Sequence, residues 1–141
     1  MEIGLDIEIE YKISLDEVDW EELKSTLSSD HFDNGRSPAQ LEESFRNSYA
    51  SVVAQIEGKP IGTARVLSDD VCNAYIVDVW TLSDYRHLGI ARHMMEILLS
   101  QLQGQHVYLF TDDAVGFYQK LGFEPQAIGM GKVEGTWLKK S

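Results

Sequence analysis

The segment Arg86-His87-Leu88-Gly89-Ile90-Ala91 joins two apolar stretches of different character. Residues 74–82 before it are rich in β-branched and aromatic side chains, which predicts a strand. Residues 90–99 after it are apolar at helical spacing, which predicts a helix. Backbone N–H groups at a helix N-terminus lack helical partners, and the helix dipole is positive there. The turn is therefore suited to bind a phosphate group, and Gly89 would let the backbone approach the anion closely.

On its own this turn is also compatible with an ordinary strand-to-helix connection. Residues 107–111 predict another short strand, and the residues that follow form a second motif. With both motifs in this order, the chain resembles the GNAT superfamily of N-acetyltransferases, best over residues 50–123. The part similar to the acetyl-CoA signature after the fourth strand consists of Arg86, Gly89 and Ala91. The part similar to the signature after the fifth strand consists of Ala114, Phe117, Tyr118, Leu121, Gly122 and Phe123.

The composition predicts one compact domain over residues 1–141, with enough apolar content for a core. With 23 acidic and 12 basic residues, the net charge is −11. Such a charge repels phosphate backbones, which disfavours nucleic-acid binding, and it attracts cationic amines. No apolar stretch is long enough to predict a membrane helix. Residues 1–8 are acidic and alternating, so they predict a first strand rather than a targeting peptide.

Cysteine and histidine usage predicts neither a disulfide nor a metal site. Cys72 is the single cysteine, which excludes an internal disulfide, favours the cytoplasm and suggests a small apolar filler. The four histidines are scattered and show no spacing typical of metal ligands.

The coarse order of elements is strand, two helices, three strands, helix, strand, helix and a terminal hairpin over residues 127–138. A capping box over residues 14–17 predicts the start of the first helix, and residues 37–40 predict the start of the second. Residues 51–56 and 61–67 predict a hairpin. This mixed α/β order suits the fold that the resemblance implies, a mixed central sheet with splayed fourth and fifth strands flanked by helices. The terminal strand would offer an edge for a homodimer.

The resemblance implies an N-acetyltransferase whose co-substrate is acetyl-CoA and whose acceptor is a primary amine of a small molecule or peptide. In the family the amine usually attacks the thioester directly, within a ternary complex. Tyr118 occupies the position of the family's tyrosine beside the CoA sulfur, which makes it the candidate general acid. A phenol is protonated at neutral pH and can donate to the departing thiolate. The alternative is that Tyr118 and Phe117 only anchor a helix in the core.

The general base is harder to assign. Asp78 is a carboxylate inside an apolar strand, where it needs either a partner or a cleft. Strand alternation would place Asp78 with Ile76 and Trp80 on one face. Some family members carry an acidic base earlier on this strand, but Tyr75 occupies that position here. Asp78 is thus a candidate base, with a structural carboxylate and a water relay as the alternatives.

The resemblance also implies the contacts to acetyl-CoA. Backbone groups of Trp80, Thr81 and Leu82 would face the pantetheine arm, and one N–H there would face the thioester oxygen. The pyrophosphate would lie on Arg86, His87, Leu88, Gly89, Ile90 and Ala91. Thr111 stands where many relatives have an asparagine that contacts the pantetheine arm. Asp112 and Asp113 after it are expected to cap the last helix.

Residues 31–36 are the candidate acceptor loop. Phe32 could cover an acceptor, Asp33 could pair with an amine and Arg36 could bind a carboxylate. The alternative is a plain turn with Arg36 in solvent. Tyr75 could line the acceptor cleft, although aromatic residues in strands more often belong to the core.

Two other functions remain open from the sequence. The first is an acyl-CoA-binding module without catalysis, which would keep the phosphate turn and lack a competent base. The second is a nucleotide-phosphate site on an unrelated α/β domain. The chain contains neither a Walker A pattern nor G-x-G-x-x-G, so this second alternative lacks support.

Overall fold

The computed structural model describes residues 8–138. The strand predicted over residues 1–8 therefore lies almost entirely outside the described residues, and the first strand described begins at Glu10. In chain order the elements are β1 (Glu10–Lys12), α1 (Trp20–Ser29), α2 (Pro38–Arg46), β2 (Ala50–Ile56), β3 (Lys59–Ser68), β4 (Asn73–Thr81), a 3-10 turn (Ser83–Tyr85), α3 (Ile90–Leu99), β5 (His106–Tyr108) and α4 (Val115–Gln119).

The strands form one mixed sheet in the order β1-β2-β3-β4-β5. The first four strands are antiparallel to their neighbours, whereas β5 runs parallel to β4. Helix α3 packs across β2, β3 and β4, while α1 packs against α2 and β3. The predicted fold class, a mixed sheet flanked by helices, is confirmed.

Two apolar clusters hold the layers together. The larger contains residues of β2, β3, β4 and α3, including the fully buried Met94, Met95 and Leu98. The smaller contains the buried residues Leu23, Leu27, Leu41, Phe45 and Trp80. Trp80 therefore ties β4 to α1 and α2 through its side chain.

The start of the second helix is confirmed and that of the first is corrected. Ser37 Oγ accepts from Gln40 N at 3.1 Å and Ser37 N donates to Gln40 Oε1 at 2.9 Å, which is the predicted capping box. In α1 the N-cap is Asp19, whose Oδ1 accepts from Glu22 N at 2.9 Å. Glu17 has a φ of 67°, so the chain turns away from helical geometry at the predicted start.

The predicted hairpin is confirmed as β2 and β3, whereas the terminal hairpin is not observed. In residues 8–138, the chain after α4 contains no strand, and residues 124–138 are exposed. Gly129, Gly131 and Gly135 interrupt the stretch, and glycines inside a strand weaken it because they add backbone entropy and no packing. The edge predicted for a homodimer is consequently absent from the described part of the chain.

Three further predictions concern single features. Cys72 is exposed in the turn between β3 and β4, so it is not the buried filler that the sequence suggested. Over the described residues, no group of three His, Cys, Asp or Glu side chains is placed to hold a metal ion. In the same part of the chain, no helix has the length and apolarity needed to span a bilayer.

Candidate active site

The sheet divides between β4 and β5. The two strands pair only through Asn73↔His106, Ala74↔Val107 and Tyr75↔Tyr108. Beyond these pairs β4 continues to Thr81, whereas β5 ends at Tyr108. The C-terminal half of β4 thus has an edge that β5 leaves open, as expected for splayed strands.

A bulge in β4 faces this opening. Arg65 pairs with Val77 and Thr63 pairs with Trp80, so two steps along β3 match three steps along β4. Asp78 lies in the extra step and has a φ of 57°, in the left-handed region. The bulge resets the alternation of side chains, and the expected common face for Ile76, Asp78 and Trp80 is wrong. Ile76 belongs to the cluster beside α3, whereas Trp80 belongs to the cluster beside α1 and α2.

The bulge also sets the direction of one N–H group. Asp78 O accepts from Thr63 Oγ1 on β3 at 2.9 Å. Because the peptide group is planar and trans, the N–H of Val79 points the opposite way from that carbonyl. Val79 N–H is therefore directed away from β3, toward the open edge.

Thr81 and Leu82, at the end of β4, differ in whether their polar groups already have hydrogen-bond partners. Leu82 N donates to Ile61 O at 2.8 Å and Leu82 O accepts from Tyr85 N at 2.8 Å. Both backbone groups of Leu82 are thus engaged within the fold, against the prediction that they face the pantetheine arm. Thr81 Oγ1, in contrast, is buried without a hydrogen-bond partner in the described part of the molecule. A buried hydroxyl of this kind is suited to a polar ligand that enters the split.

The turn after β4 presents backbone rather than side chains. His87 and Gly89 have φ values of 67° and 80°, and Gly89 is the N-cap of α3, with no side-chain cap. A Cβ added at Gly89 would meet no heavy atom within 4 Å, so the space in front of it is open. Leu88 is exposed, while Ile90 is buried and anchors the helix. The uncapped N–H groups and open space fit the predicted pyrophosphate site.

Asp30, at the end of α1, braces this turn. Its Oδ2 accepts from Trp80 Nε1 at 2.9 Å and from Ser83 N at 3.1 Å, and it lies 3.9 Å from Arg86 Nη2. Arg86 Nε also donates to Thr81 O at 3.2 Å. Burial alone would raise the pKa of Asp30, but the hydrogen bonds from Ser83 and Trp80 and the charge of Arg86 lower it below its usual value. Asp30 was not predicted from the sequence, since nothing near it in the chain indicates its distant partners.

Tyr118 lies on α4, half-buried between Phe117 and Phe123 at ring distances of 4.9 and 5.9 Å. Burial raises the pKa of its phenol, so the group is protonated at neutral pH. It lines a cavity of about 870 Å³ together with β5, α4 and residues 124–129. Among the described residues, that lining includes none of β4 or of the 86–91 turn.

The residues before α4 are arranged differently from the prediction. The N-cap is Ala114, whose N–H donates to Thr111 Oγ1 at 3.0 Å. Asp112 and Asp113 are exposed and do not cap the helix. The hydroxyl of Thr111 thus supports the turn into α4.

Asp78 is held by two arginines. Its Oδ2 accepts from Arg36 Nη1 at 3.1 Å and from Arg65 Nε at 2.5 Å, and its Oδ1 accepts from Arg36 Nη2 at 3.0 Å. Arg36 is buried, and the side chains of Arg65 and Asp78 are only 13% and 12% exposed. Both carboxylate oxygens are thus occupied, an arrangement that disagrees with Asp78 as a free general base. Arg36 likewise lies buried against Asp78, neither in solvent nor open to a substrate carboxylate.

The other predicted acceptor residues do not converge on one point. Asp33 accepts from Lys24 Nζ at 2.6 Å and from Gly35 N at 2.9 Å, and the hydrogen bond from Lys24 lowers its pKa. Phe32 is exposed and available for contact. Tyr75 lies at the closed end of the split, edge-on to Phe110 at a ring distance of 5.9 Å. Asp33 therefore already has a cation, whereas Phe32 remains open.

A model of the GNAT acetyltransferase family matches residues 14–123. That is more than half of the chain, and the chain belongs to this family of acetyltransferases. The resemblance of the two motifs is thereby confirmed.

Among curated proteins, 77 residues are 38% identical to serotonin N-acetyltransferase 2, a chloroplastic protein of Oryza sativa subsp. japonica. The match covers 50% of this chain and 38% of that protein, so this chain spans well under two thirds of the relative's length.

Solved structures agree on the fold. Glucosamine-6-phosphate N-acetyltransferase of Arabidopsis thaliana superposes with a TM-score of 0.72 at 19% identity, over 89% of this chain and 98% of that one. A Clostridium acetobutylicum protein whose structure contains acetyl-CoA superposes with a TM-score of 0.68 at 20% identity, over 89% and 96% of the two chains.

Proposed function

We propose that this chain is an N-acetyltransferase that transfers the acetyl group of acetyl-CoA to a primary amine of a small molecule or peptide, by direct attack in a ternary complex. The observation that carries the proposal is the open edge of β4, which leads into the uncapped N-terminus of α3 at Gly89. An extended ligand could pair along the edge while its phosphates rest on the helix terminus.

On the donor side, the chain's backbone would do most of the binding. The N–H groups around Gly89 would hold the pyrophosphate, and the buried hydroxyl of Thr81 would meet a polar group of the pantetheine arm. Acetyl-CoA supplies a thioester, whose carbon forms a bond to the amine nitrogen as its bond to sulfur breaks. Val79 N–H, which is directed toward the split, would stabilise the negative charge that develops on the carbonyl oxygen.

An acceptor that arrives as an ammonium ion loses two protons, one before attack and one as the amide forms, while the departing thiolate gains one, and no electron is transferred. Tyr118 would donate its phenolic proton to the departing thiolate, a role that its raised pKa supports because the phenol stays protonated. We assign the removal of the amine protons to a water relay, since both oxygens of Asp78 accept from arginines. The relay would return one proton to Tyr118 and release the other to solvent.

The net charge of the chain and the exposure of Phe32 support the choice of acceptor. The net charge of −11 favours a cationic amine, and the exposed Phe32 could cover an apolar part of it. Relatives named for serotonin and for glucosamine 6-phosphate indicate how widely acceptors vary on this fold. Arylalkylamines, amino sugars and lysine peptides therefore form the first panel of acceptors.

A second candidate is an acyl-CoA-binding module without catalysis. The observation that favours it is the pairing of Asp78 with Arg36 and Arg65, which leaves the split without that carboxylate as a free base.

We further propose that the protein is cytoplasmic and forms a homodimer. The chloroplastic names of two relatives do not support a cytoplasmic location.

The deciding experiment measures binding of acetyl-CoA by calorimetry and then release of free thiol with the amine panel. In Tyr118→Phe we expect kcat to fall by about 100-fold, as for loss of a general acid, with acetyl-CoA affinity unchanged. Tyr49→Phe is the matched control, because Tyr49 is exposed and its hydroxyl donates to Asp70. Binding without turnover across the panel would support the module, and a folded protein that does not bind acetyl-CoA would overturn both functions.

A further inference from the structure

Three charged side chains from separate parts of the chain meet at the bulge of β4. Arg36 comes from the loop between α1 and α2, Arg65 from β3 and Asp78 from the bulge of β4. Their side chains are only 10%, 13% and 12% exposed. Buried charges need well-placed partners, and loss of one partner is strongly destabilising to the others. Arg36, Arg65 and Asp78 together form the Asp78 cluster.

The two arginines are themselves held in place. Arg65 Nη1 donates to Ser44 O at 3.4 Å and to Ser48 Oγ at 3.3 Å, and its guanidinium lies 5.8 Å from the centre of the Phe45 ring. Arg36 Nε donates to Asn34 Oδ1 at 2.9 Å. The cluster thus connects the bulge to the end of α2 and to the candidate acceptor loop.

The bulge needs such support. A left-handed φ at a non-glycine residue is uncommon and persists where the surroundings enforce it. At Asp78 the enforcing contacts are the two arginines on the side chain and the Thr63 hydroxyl on the carbonyl. Release of the side chain would let the Asp78–Val79 peptide rotate, and the N–H of Val79 would then leave the split.

We propose that Asp78 is a positioning residue, and that the Asp78 cluster holds Val79 N–H in the orientation that polarises the acyl carbonyl. The proposal rests on the acetyltransferase function proposed above. It also makes the acceptor loop, through Arg36, part of the support for the donor site. Asp78 would act through the backbone rather than by accepting a proton.

The first test is infrared spectroscopy of bound acetyl-CoA that carries ¹³C in the acetyl carbonyl. In the native chain we expect a carbonyl stretch below that of free acetyl-CoA, since the N–H donates to the oxygen. In Asp78→Asn and Arg65→Gln the stretch should return toward the free value. Glu42→Gln is the control, because it removes an exposed ion pair with Arg46 on α2. Asparagine tolerates the left-handed region, so Asp78→Asn removes charge rather than backbone freedom.

The second test is kinetic and uses the acceptor found with the amine panel. Misplacement of a catalytic group by about 1 Å can cost about 100-fold, so we expect losses of that order in kcat for Asp78→Asn and Arg36→Gln. The kcat of the double variant, Asp78→Asn with Arg36→Gln, should be no lower than that of either single variant. The pH midpoint of kcat/KM should not change in any of them. If Asp78 were instead the general base, Asp78→Asn would abolish the fall in kcat/KM at low pH, whereas Arg36→Gln would keep that fall.

The outcomes separate the two proposals. Native protein that is folded but does not bind acetyl-CoA overturns the proposed function and this inference with it. Native binding with the same carbonyl frequency in Asp78→Asn overturns this inference alone. Circular dichroism and acetyl-CoA affinity check that each variant is folded, and Arg65→Lys, which keeps the charge, serves if Arg65→Gln does not fold.

Discussion

The two sides of the split are built from different materials. The turn at residues 86–91, the proposed donor site and hereafter the donor turn, is made by backbone geometry, with left-handed residues His87 and Gly89 and mostly exposed side chains. The candidate acceptor loop at residues 31–36 is made by side-chain pairs, Lys24 with Asp33 and Arg36 with Asp78. A site made of backbone depends on a few short-range residues, whereas one made of side chains depends on partners far along the chain.

The variant with the largest expected effect is Gly89→Asp, which tests whether the backbone of the donor turn binds acetyl-CoA. The new carboxylate would project into the open space where the pyrophosphate is proposed to bind. Like charges in contact cost several kcal/mol, so we expect the dissociation constant for acetyl-CoA to rise by about 100-fold or more. Isothermal titration calorimetry measures the change.

Gly104→Asp is its matched control. Gly104 has a φ of 83° and also has no heavy atom within 4 Å of an added Cβ, but it lies in the loop between α3 and β5. Both variants should lose about 1 kcal/mol of stability from the left-handed backbone. Equal affinities for acetyl-CoA in the two variants would show that the turn does not bind the donor.

Asp30→Asn tests the hydrogen bonds that connect the end of α1 to the donor turn. Asp30, directly after α1, accepts from Trp80 and Ser83 beside that turn. We expect the free energy of unfolding at pH 7 to fall by roughly 1–2 kcal/mol, because hydrogen bonds to a charged group are strong and the amide keeps part of them. Denaturant unfolding from pH 3 to pH 7 gives the values.

The pH dependence has a defined sign. The pKa of Asp30 is lowered in the folded state, so its carboxylate stabilises the fold above the unfolded value of about 3.9. That contribution is lost as the pH falls through the lower folded pKa. The difference between native protein and Asp30→Asn should therefore shrink below about pH 4. A difference that is constant over this range would mean that the charge of Asp30 contributes nothing.

Much of the fold could be predicted from local patterns. The capping box at Ser37 and Gln40, the hairpin of β2 and β3, and the apolar face of α3 all follow from residues within one or two turns of each other. The start of the first helix and the terminal hairpin could not, because Glu17 takes a left-handed φ and residues 124–138 are exposed rather than packed. Local propensity decides an element only where packing does not oppose it.

The site divides in the same way. The turn at Gly89 and the α3 N-terminus were predicted from the sequence, and the structure adds that Gly89 is left-handed. The partners of Asp78 were not, because the bulge that turns it toward Arg36 arises from pairing with β3 and leaves no mark in the alternation. In the sequence, only two arginines and a single aspartate within a strand hinted at this arrangement. Arg36 and Arg65 are 42 and 13 residues from Asp78 along the chain, so their pairing with it became visible only in the structure.

The smallest expected effect is that of Leu88→Ala. Leu88 is 44% exposed in the donor turn, and exposed substitutions usually change free energies by less than about 0.5 kcal/mol. If backbone groups bind acetyl-CoA, the dissociation constant should change by about twofold or less. Ile90→Ala, two residues on, removes a buried side chain and should cost roughly 2–5 kcal/mol of stability. A loss of acetyl-CoA affinity beyond tenfold in Leu88→Ala would mean that side chains recognise the donor as well, and the contrast between the two sides of the split would fail.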